Sequence, residues 1–188
     1  MYAPSFPVQT ERLTLRVHVP EDIDALYEIR RLPEVNTYLY SEAMTREEVQ
    51  AKLDERIAKY SKLTQPGDSV ILAVVRNDTG EFIGDVTLVW ADEHQQVEIG
   101  YVFSPEHHGQ GFATEAARSL LRIAFQDLGA HRVIGRLDAR NGASGRVLEK
   151  LGMRQEAHFR ENEFVKGEWV SELVYAILAT EWTAAQQT

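Results

Sequence analysis

The sequence predicts an α+β fold of about six to seven strands and about four helices. Three observations predict it. A chain of 188 residues with 44% hydrophobic content suits one compact core. Strand-like segments follow one another through short turns in the first half instead of alternating strictly with helices. Apolar rows at helical spacing are confined to a few places. The chain is read as one domain over residues 1–188, with its core between about residues 8 and 182.

Leu13, Leu15 and Val17 alternate with Thr14, Arg16 and His18, which is the period of a half-buried strand ending near Val19. Pro20 suits a first helical position, and Ile23, Leu26 and Tyr27 share a face up to about Leu32. Thr45 with Glu48 reads as a capping box opening a second helix along Val49, Leu53 and Ile57. Ser69 to Arg76 and Glu81 to Trp90 flank the turn Asn77-Asp78-Thr79-Gly80, predicting a hairpin. A polar run, Ala91 to Gln96, leads to a third antiparallel strand, Val97 to Phe103. After a glycine-bearing loop, Phe112 to Leu128 has helical spacing and Gly129 stops it. A strand at His131 to Ala139, a helix at Ser144 to Leu151 and strands at Met153 to Phe159 and Trp169 to Leu178 complete the fold, with Ala184 to Thr188 expected to fray.

Composition excludes several functions. Without any Cys there is no disulfide, thiolate metal site or cysteine nucleophile, and a reducing cytoplasm is expected. The opening MYAPSFPVQTERLTLR lacks a signal-peptide pattern, and no stretch has the ~20 apolar residues of a membrane span, so no membrane association is expected. A net charge of -9 with no basic cluster argues against nucleic acid, while an acidic surface suits a cationic amine. The six His form no His-Glu-x-x-His arrangement, and no metal is expected.

The chemistry concentrates where strand Val97 to Phe103 runs through His108-Gly109-Gln110-Gly111 into a helix. Glycines admit a ligand close to the backbone, and the first helical turn offers free N–H donors at the positive end of the dipole, which suits a phosphate. The alternative is an ordinary strand-to-helix turn. A Walker-type loop fails for want of Gly-Lys-Ser/Thr. A dinucleotide fingerprint would need Gly where Thr114 stands and alternating strands and helices before it, and is the weaker alternative.

Glu98-Ile99-Gly100-Tyr101 followed by His108-Gly109-Gln110-Gly111-Phe112-Ala113-Thr114-Glu115-Ala116 resembles the GCN5-related N-acetyltransferases (GNAT), in particular their RimJ/RimL-type branch that acetylates ribosomal-protein N-termini. A second block, Asn141-Gly142-Ala143-Ser144 with Lys150-Leu151-Gly152-Met153, is similar to the family's Asn-x-x-Ser and Lys-Leu-Gly-Phe signature. The resemblance implies acetyl-CoA, or another short acyl-CoA, as co-substrate. Its pyrophosphate loop would be His108, Gly109, Gln110, Gly111, Phe112, Ala113 and Thr114, with His108 in the usual Gln/Arg place. Asn141, Ser144 and Lys150 would hold the same ligand. The resemblance further implies a mixed, mostly antiparallel sheet flanked by the helices, in which strands Val97–Phe103 and His131–Ala139 splay apart to admit the pantetheine arm. A β-bulge near Tyr101 to Ser104 would free the backbone of Tyr101, Val102 and Phe103 to bond it.

Acyl transfer to an amine needs a base, an oxyanion donor and stabilisation of the leaving thiolate. Glu98 is the candidate base, beside the small Gly100 on one strand face; the alternative is a solvated carboxylate. Ser144 is the candidate donor to the sulfur, where many relatives carry a Tyr about one turn later, at Leu148 here; the alternative is helix capping. Glu161, Glu163 and Glu168 are placed in a loop on the acceptor side, the first two, with Glu98, as substrate-binding candidates. The expected acceptor is a protein or peptide α-amine, and the alternatives are a polyamine, amino acid or aminoglycoside, or a non-catalytic acyl-CoA-binding role. A homodimer is compatible with the sequence.

Overall fold

The computed structural model describes residues 5–91 and 95–185, so part of the run Ala91 to Gln96 and the last three residues of the expected frayed tail lie outside it. Eight strands form one sheet: β1 (Val8–Gln9), β2 (Leu13–Val17), β3 (Ser69–Arg76), β4 (Phe82–Trp90), β5 (Gln96–Phe103), β6 (Arg132–Asp138), β7 (Arg154–Val165) and β8 (Glu168–Leu178). Their order is β1-β2-β3-β4-β5-β6-β8-β7, and β5 with β6 is the parallel pair. The helices are α1 (Ile23–Arg30), α2 (Pro33–Asn36), α3 (Arg46–Lys59), α4 (Phe112–Arg122), α5 (Gly142–Lys150) and α6 (Ala179–Ala185).

The expected capping box forms: the Thr45 hydroxyl accepts from the Glu48 N–H, and the Glu48 carboxylate accepts from the Thr45 N–H at 2.8 Å. The helix after Phe112 passes into a π-type segment, Ile123–Asp127, before Gly129 ends it at φ 67°. The structure also departs from the sequence reading. α2, a short helix that starts at Pro33, was not expected, and α6 takes in Ala184 and Ala185 of the supposed frayed end. Glu161, Glu163 and Glu168 are not in a loop: β7 runs on to Val165 and turns at Lys166 and Gly167, both with positive φ, into β8. This segment is exposed on most positions, so main-chain pairing forms the strand without any hydrophobic alternation to announce it.

Side chains alternate across the sheet and so divide it between two helical layers. Asp85 on β4 meets Arg30 of α1 and Arg56 of α3, whereas Tyr101 on β5 and Gly135 on β6 meet α5. Gly84 is required by close approach: a Cβ there would stand 2.3 Å from the Val102 carbonyl oxygen and 2.9 Å from Phe103 Cα. Gly84→Ala is therefore expected to cost about 3 kcal/mol in urea unfolding, and a loss below about 1 kcal/mol would show that β4 and β5 adjust freely.

Candidate active site

β5 keeps its antiparallel ladder with β4 from Trp90↔Val97 to Gly84↔Phe103, without a register shift. On its other edge it pairs with β6 only over Gln96–Glu98, because β6 turns away to follow β8 as far as Asp138↔Glu172. The splayed gap is thus present, but the expected bulge over Tyr101 to Ser104 is not. Divergence of β6 alone exposes the edge. Since the Ser104 N–H bonds the Ile83 carbonyl, ladder alternation turns the main-chain groups of Tyr101 and Phe103 toward the gap.

The glycine loop continues from this edge. Gly109 (φ 75°) and Gly111 (φ 83°) are left-handed, and Gly111 is the residue from which α4 starts. The N–H groups of the first turn open on a cavity of about 440 Å³ that is lined by Tyr101, Val102, Phe103, His108, Gly109, Gly111, Phe112, Ala113, Thr114, Asn141, Ser144 and Lys150. Gln110 does not line it, and its amide donates to the Glu106 carbonyl at 3.1 Å. His108 Nε2 lies 3.2 Å from the Phe103 carbonyl oxygen, so its side chain caps the end of β5. Arg146, which the sequence reading passed over, also lines the cavity, and its spacing of four from Lys150 on α5 was the available signal.

A clasp outside the cavity holds the loop. The Glu115 carboxylate accepts from the Thr10 hydroxyl at 2.6 Å, the Arg12 N–H at 2.8 Å and Arg12 Nε at 2.7 Å. Arg12 Nη1 donates to the Gln110 carbonyl at 3.0 Å, and the guanidinium lies 4.6 Å from the Phe112 ring centroid. For the acetyl-CoA that the sequence resemblance implies, Arg12→Ala is accordingly expected to raise KM about tenfold with kcat little changed, as for loss of one charged hydrogen bond. A kcat effect larger than the KM effect would contradict a role confined to the loop.

A second cavity, of about 390 Å³, lies on the other face of β5 and shares the walls Tyr38 and Leu39 with the first. Glu98 lines it, together with Arg136 and Asp138 of β6, Glu172 of β8, Glu163 of β7 and Tyr40. Arg136 holds Glu172 through bonds of 2.9 to 3.1 Å, and Arg140 holds both Asp138 and Glu168. Tyr40 donates to Glu163 at 2.6 Å, which with burial pushes the phenol up to about 12. Glu98 is half-buried and forms no hydrogen bond or ion pair among the described residues. Burial pushes its carboxyl up from the ordinary value, Arg136 opposes the shift and Glu172 adds to it.

Between Phe159↔Glu172 and Glu163↔Val170, three β7 residues bulge opposite Ser171, which turns Glu163 into this cavity. Glu161 occupies the left-handed apex at φ 47°, is exposed and stays outside the cavity lining. Arg136 and Glu172 were missed by the sequence reading; the signal was a single charged residue in the interior of each of two strands.

On the α5 side, Asn141 caps the helix, its side-chain oxygen accepting from the Ser144 N–H at 3.1 Å. The Ser144 hydroxyl donates to the Tyr101 phenol oxygen at 2.9 Å, and that phenol donates to the Ser144 carbonyl at 2.9 Å. Among the described residues no three His, Asp or Glu are grouped to hold a metal ion, and no helix is long and apolar enough to cross a membrane.

Residues 12–154 match the family model described as an acetyltransferase (GNAT) domain. The N-acetyltransferase YnaD of Bacillus subtilis, itself uncharacterised, is 31% identical over 176 residues, covering 93% of this chain and 98% of that protein. An acetyltransferase of the GNAT family from Bacillus anthracis superimposes with a TM-score of 0.84 at 27% identity, over 93% of this chain and 99% of that one. Spermidine N-acetyltransferase from Vibrio cholerae, solved in complex with CoA and spermine, has a TM-score of 0.76 at 21% identity, over 93% and 99% of the two chains, a likeness of fold.

Proposed function

The chain belongs to the GNAT family of acetyltransferases, and from that premise we propose that it moves the acetyl group of acetyl-CoA onto the α-amine of a peptide or protein by direct attack. No covalent enzyme intermediate is involved. The observation that carries this reading is Glu98, a half-buried carboxylate without a partner among the described residues, on the strand that separates the two cavities.

Acetyl-CoA fits the cavity on the α4 and α5 side. The first-turn N–H groups and the Gly109–Gly111 backbone suit its pyrophosphate, Arg146 and Lys150 add positive charge, and the unpaired edge of β5 suits the pantetheine amides. Bound there, acetyl-CoA supplies a thioester carbonyl to an amine entering from the other face. Glu98 takes the amine proton directly or through water, and the Tyr101–Ser144 hydroxyl pair faces the leaving-group side. An exposed main-chain N–H of β5 is available to the developing oxyanion.

The α-amine reading is favoured by charge pairing. Of the five carboxylates lining the acceptor cavity, Asp138, Glu168 and Glu172 are ion-paired with Arg136 or Arg140, so few remain unengaged for a polycation. An α-amine near pKa 8 also needs less basic assistance than an alkyl amine near about 10.4. A second reading, a small cationic amine, is supported by the carboxylate excess, with Glu98, Asp138, Glu163, Glu168 and Glu172 set against Arg136, Arg140 and Lys166. The test is thiol release from acetyl-CoA with peptides of varied first residue beside polyamines, amino acids and aminoglycosides. Highest kcat/KM on peptides supports the first reading, and a polyamine that exceeds every peptide overturns it.

A further inference from the structure

The two faces of β5 serve opposite ends of the reaction. Glu98 looks into the acceptor cavity, while Tyr101, an odd number of residues later, points to the other face and lines the cofactor cavity with Ser144. The two hydroxyls are not equivalent. The Ser144 proton is directed at the Tyr101 oxygen at 2.9 Å, so the Ser144 hydroxyl presents lone pairs to the cavity. The Tyr101 proton rests on the Ser144 carbonyl, and that carbonyl lies in the first turn of α5, where the helical ladder already supplies an N–H. Swinging the phenol proton away therefore strands no buried acceptor, and Ser144 keeps the phenol oxygen bonded as it moves.

We propose that the Tyr101 phenol is the group that hydrogen-bonds the departing sulfur, and that Ser144 is a positioning residue acting through it. The assignment rests on the acetyl-transfer reading above. As the bond between the amine nitrogen and the acetyl carbon forms and the carbon–sulfur bond breaks, the electron pair goes to sulfur. The amine proton goes to Glu98. Burial holds the phenol at about 12, above a thiol at about 8.5, so Tyr101 stabilises the thiolate and retains its proton, and water protonates the released thiolate. Leu148 of α5 is taken up by packing: its methyl groups fill the space over Gly135, at 2.9 and 3.0 Å from a Cβ built there.

The experiment compares Tyr101→Phe, Ser144→Ala, Ser144→Thr and the Tyr101→Phe/Ser144→Ala double variant. Tyr101→Phe should lower kcat by about 100-fold with the acetyl-CoA KM little changed. Ser144→Ala should lose about tenfold, Ser144→Thr should recover most of that, and Ser144→Ala should cost nothing more once Tyr101 is Phe. Multiplying losses in the double variant, or a silent Tyr101→Phe beside a deep Ser144→Ala, would overturn the assignment. Calorimetric titration with CoA and with desulfo-CoA gives a readout independent of turnover. Tyr101→Phe should weaken CoA alone, and Ser144→Ala should do so to a smaller degree, which serves if the Phe variant fails to fold. Equal weakening of both ligands would mean that the pair merely shapes the cavity. Absence of amine-dependent turnover in the unaltered chain would refute acetyl transfer, while the two ligands would still report on Tyr101.

Discussion

Glu98→Gln is expected to lower kcat by about 100- to 1,000-fold, the range for loss of a positioned general base. Acetyl-CoA affinity should be unchanged, because Glu98 lines the acceptor cavity and not the cofactor cavity. Gln keeps the size of the side chain, and Glu98 has no hydrogen bond or ion pair among the described residues to lose, so stability should also hold. The pH profile adds a second check. Burial raises the Glu98 carboxyl, so activity should fall on the acid side at a higher pH than an exposed glutamate would give. Glu98 accepts a proton only above its pKa, so anything that raises the pKa moves the limb to higher pH. Arg136→Gln removes the opposing cation and should move it up, whereas Glu172→Gln removes a like charge and should move it down. Limbs that stay fixed in both variants would assign the titration to another group.

Asp85→Ala is expected to cost about 3 to 5 kcal/mol in chemical denaturation, the range for breaking a buried ion pair. Asp85 is 3% exposed and accepts from Arg30 Nη2 at 2.8 and 3.0 Å and from Arg56 Nη1 at 3.0 Å. Its removal leaves two guanidinium groups, each 8% exposed, without their counter-ion. Arg56 also lies 3.3 Å from His18 Nε2, and His18 stands 3.3 Å from Asp22, which Arg16 holds with two bonds. The network thus ties α1 and α3 to β4, and through the Arg30 carbonyl it holds Asn36, just before the segment that walls both cavities. Asp85→Ala should therefore weaken acceptor binding as well as stability. Burial alone would raise the Asp85 carboxyl, but Arg30 and Arg56 outweigh it, and hydrogen bonds from Arg16 and His18 likewise lower Asp22. Depressed carboxyls stabilise the fold above their unfolded pKa of about 3.9, and that contribution disappears as pH falls below it. Loss of less than about 1 kcal/mol in Asp85→Ala would show the cluster to be close to neutral.

Much of this arrangement was legible in local pattern. Alternation placed β2, the turn Asn77-Asp78-Thr79-Gly80 placed β3 and β4 on either side of it, a capping box opened α3, and the glycine pair marked the start of α4, because each depends on neighbours within a few residues. The residues that were missed depend on distant partners. β7 beyond Phe159 has no apolar period and exists through its pairing with β8, and its bulge alone decides that Glu163 enters the cavity while Glu161 does not. The partnership of Arg136 with Glu172 crosses two strands separated by 36 positions. Tyr101 was assigned through its backbone; only the packing of α5 against β6 brings Ser144 to its phenol. Glu98 was singled out from sequence because chemistry narrows a proposed base to a carboxylate beside a small residue on the strand entering the glycine loop, and the fold sets it in a cavity wall.

The most direct test is release of CoA thiol by the purified chain, with acetyl-CoA binding followed in parallel by calorimetry. The account predicts acetyl-CoA binding and thiol release that depends on an added amine and is nearly abolished in Glu98→Gln. Binding without amine-dependent release, or no acetyl-CoA binding at all, would contradict it.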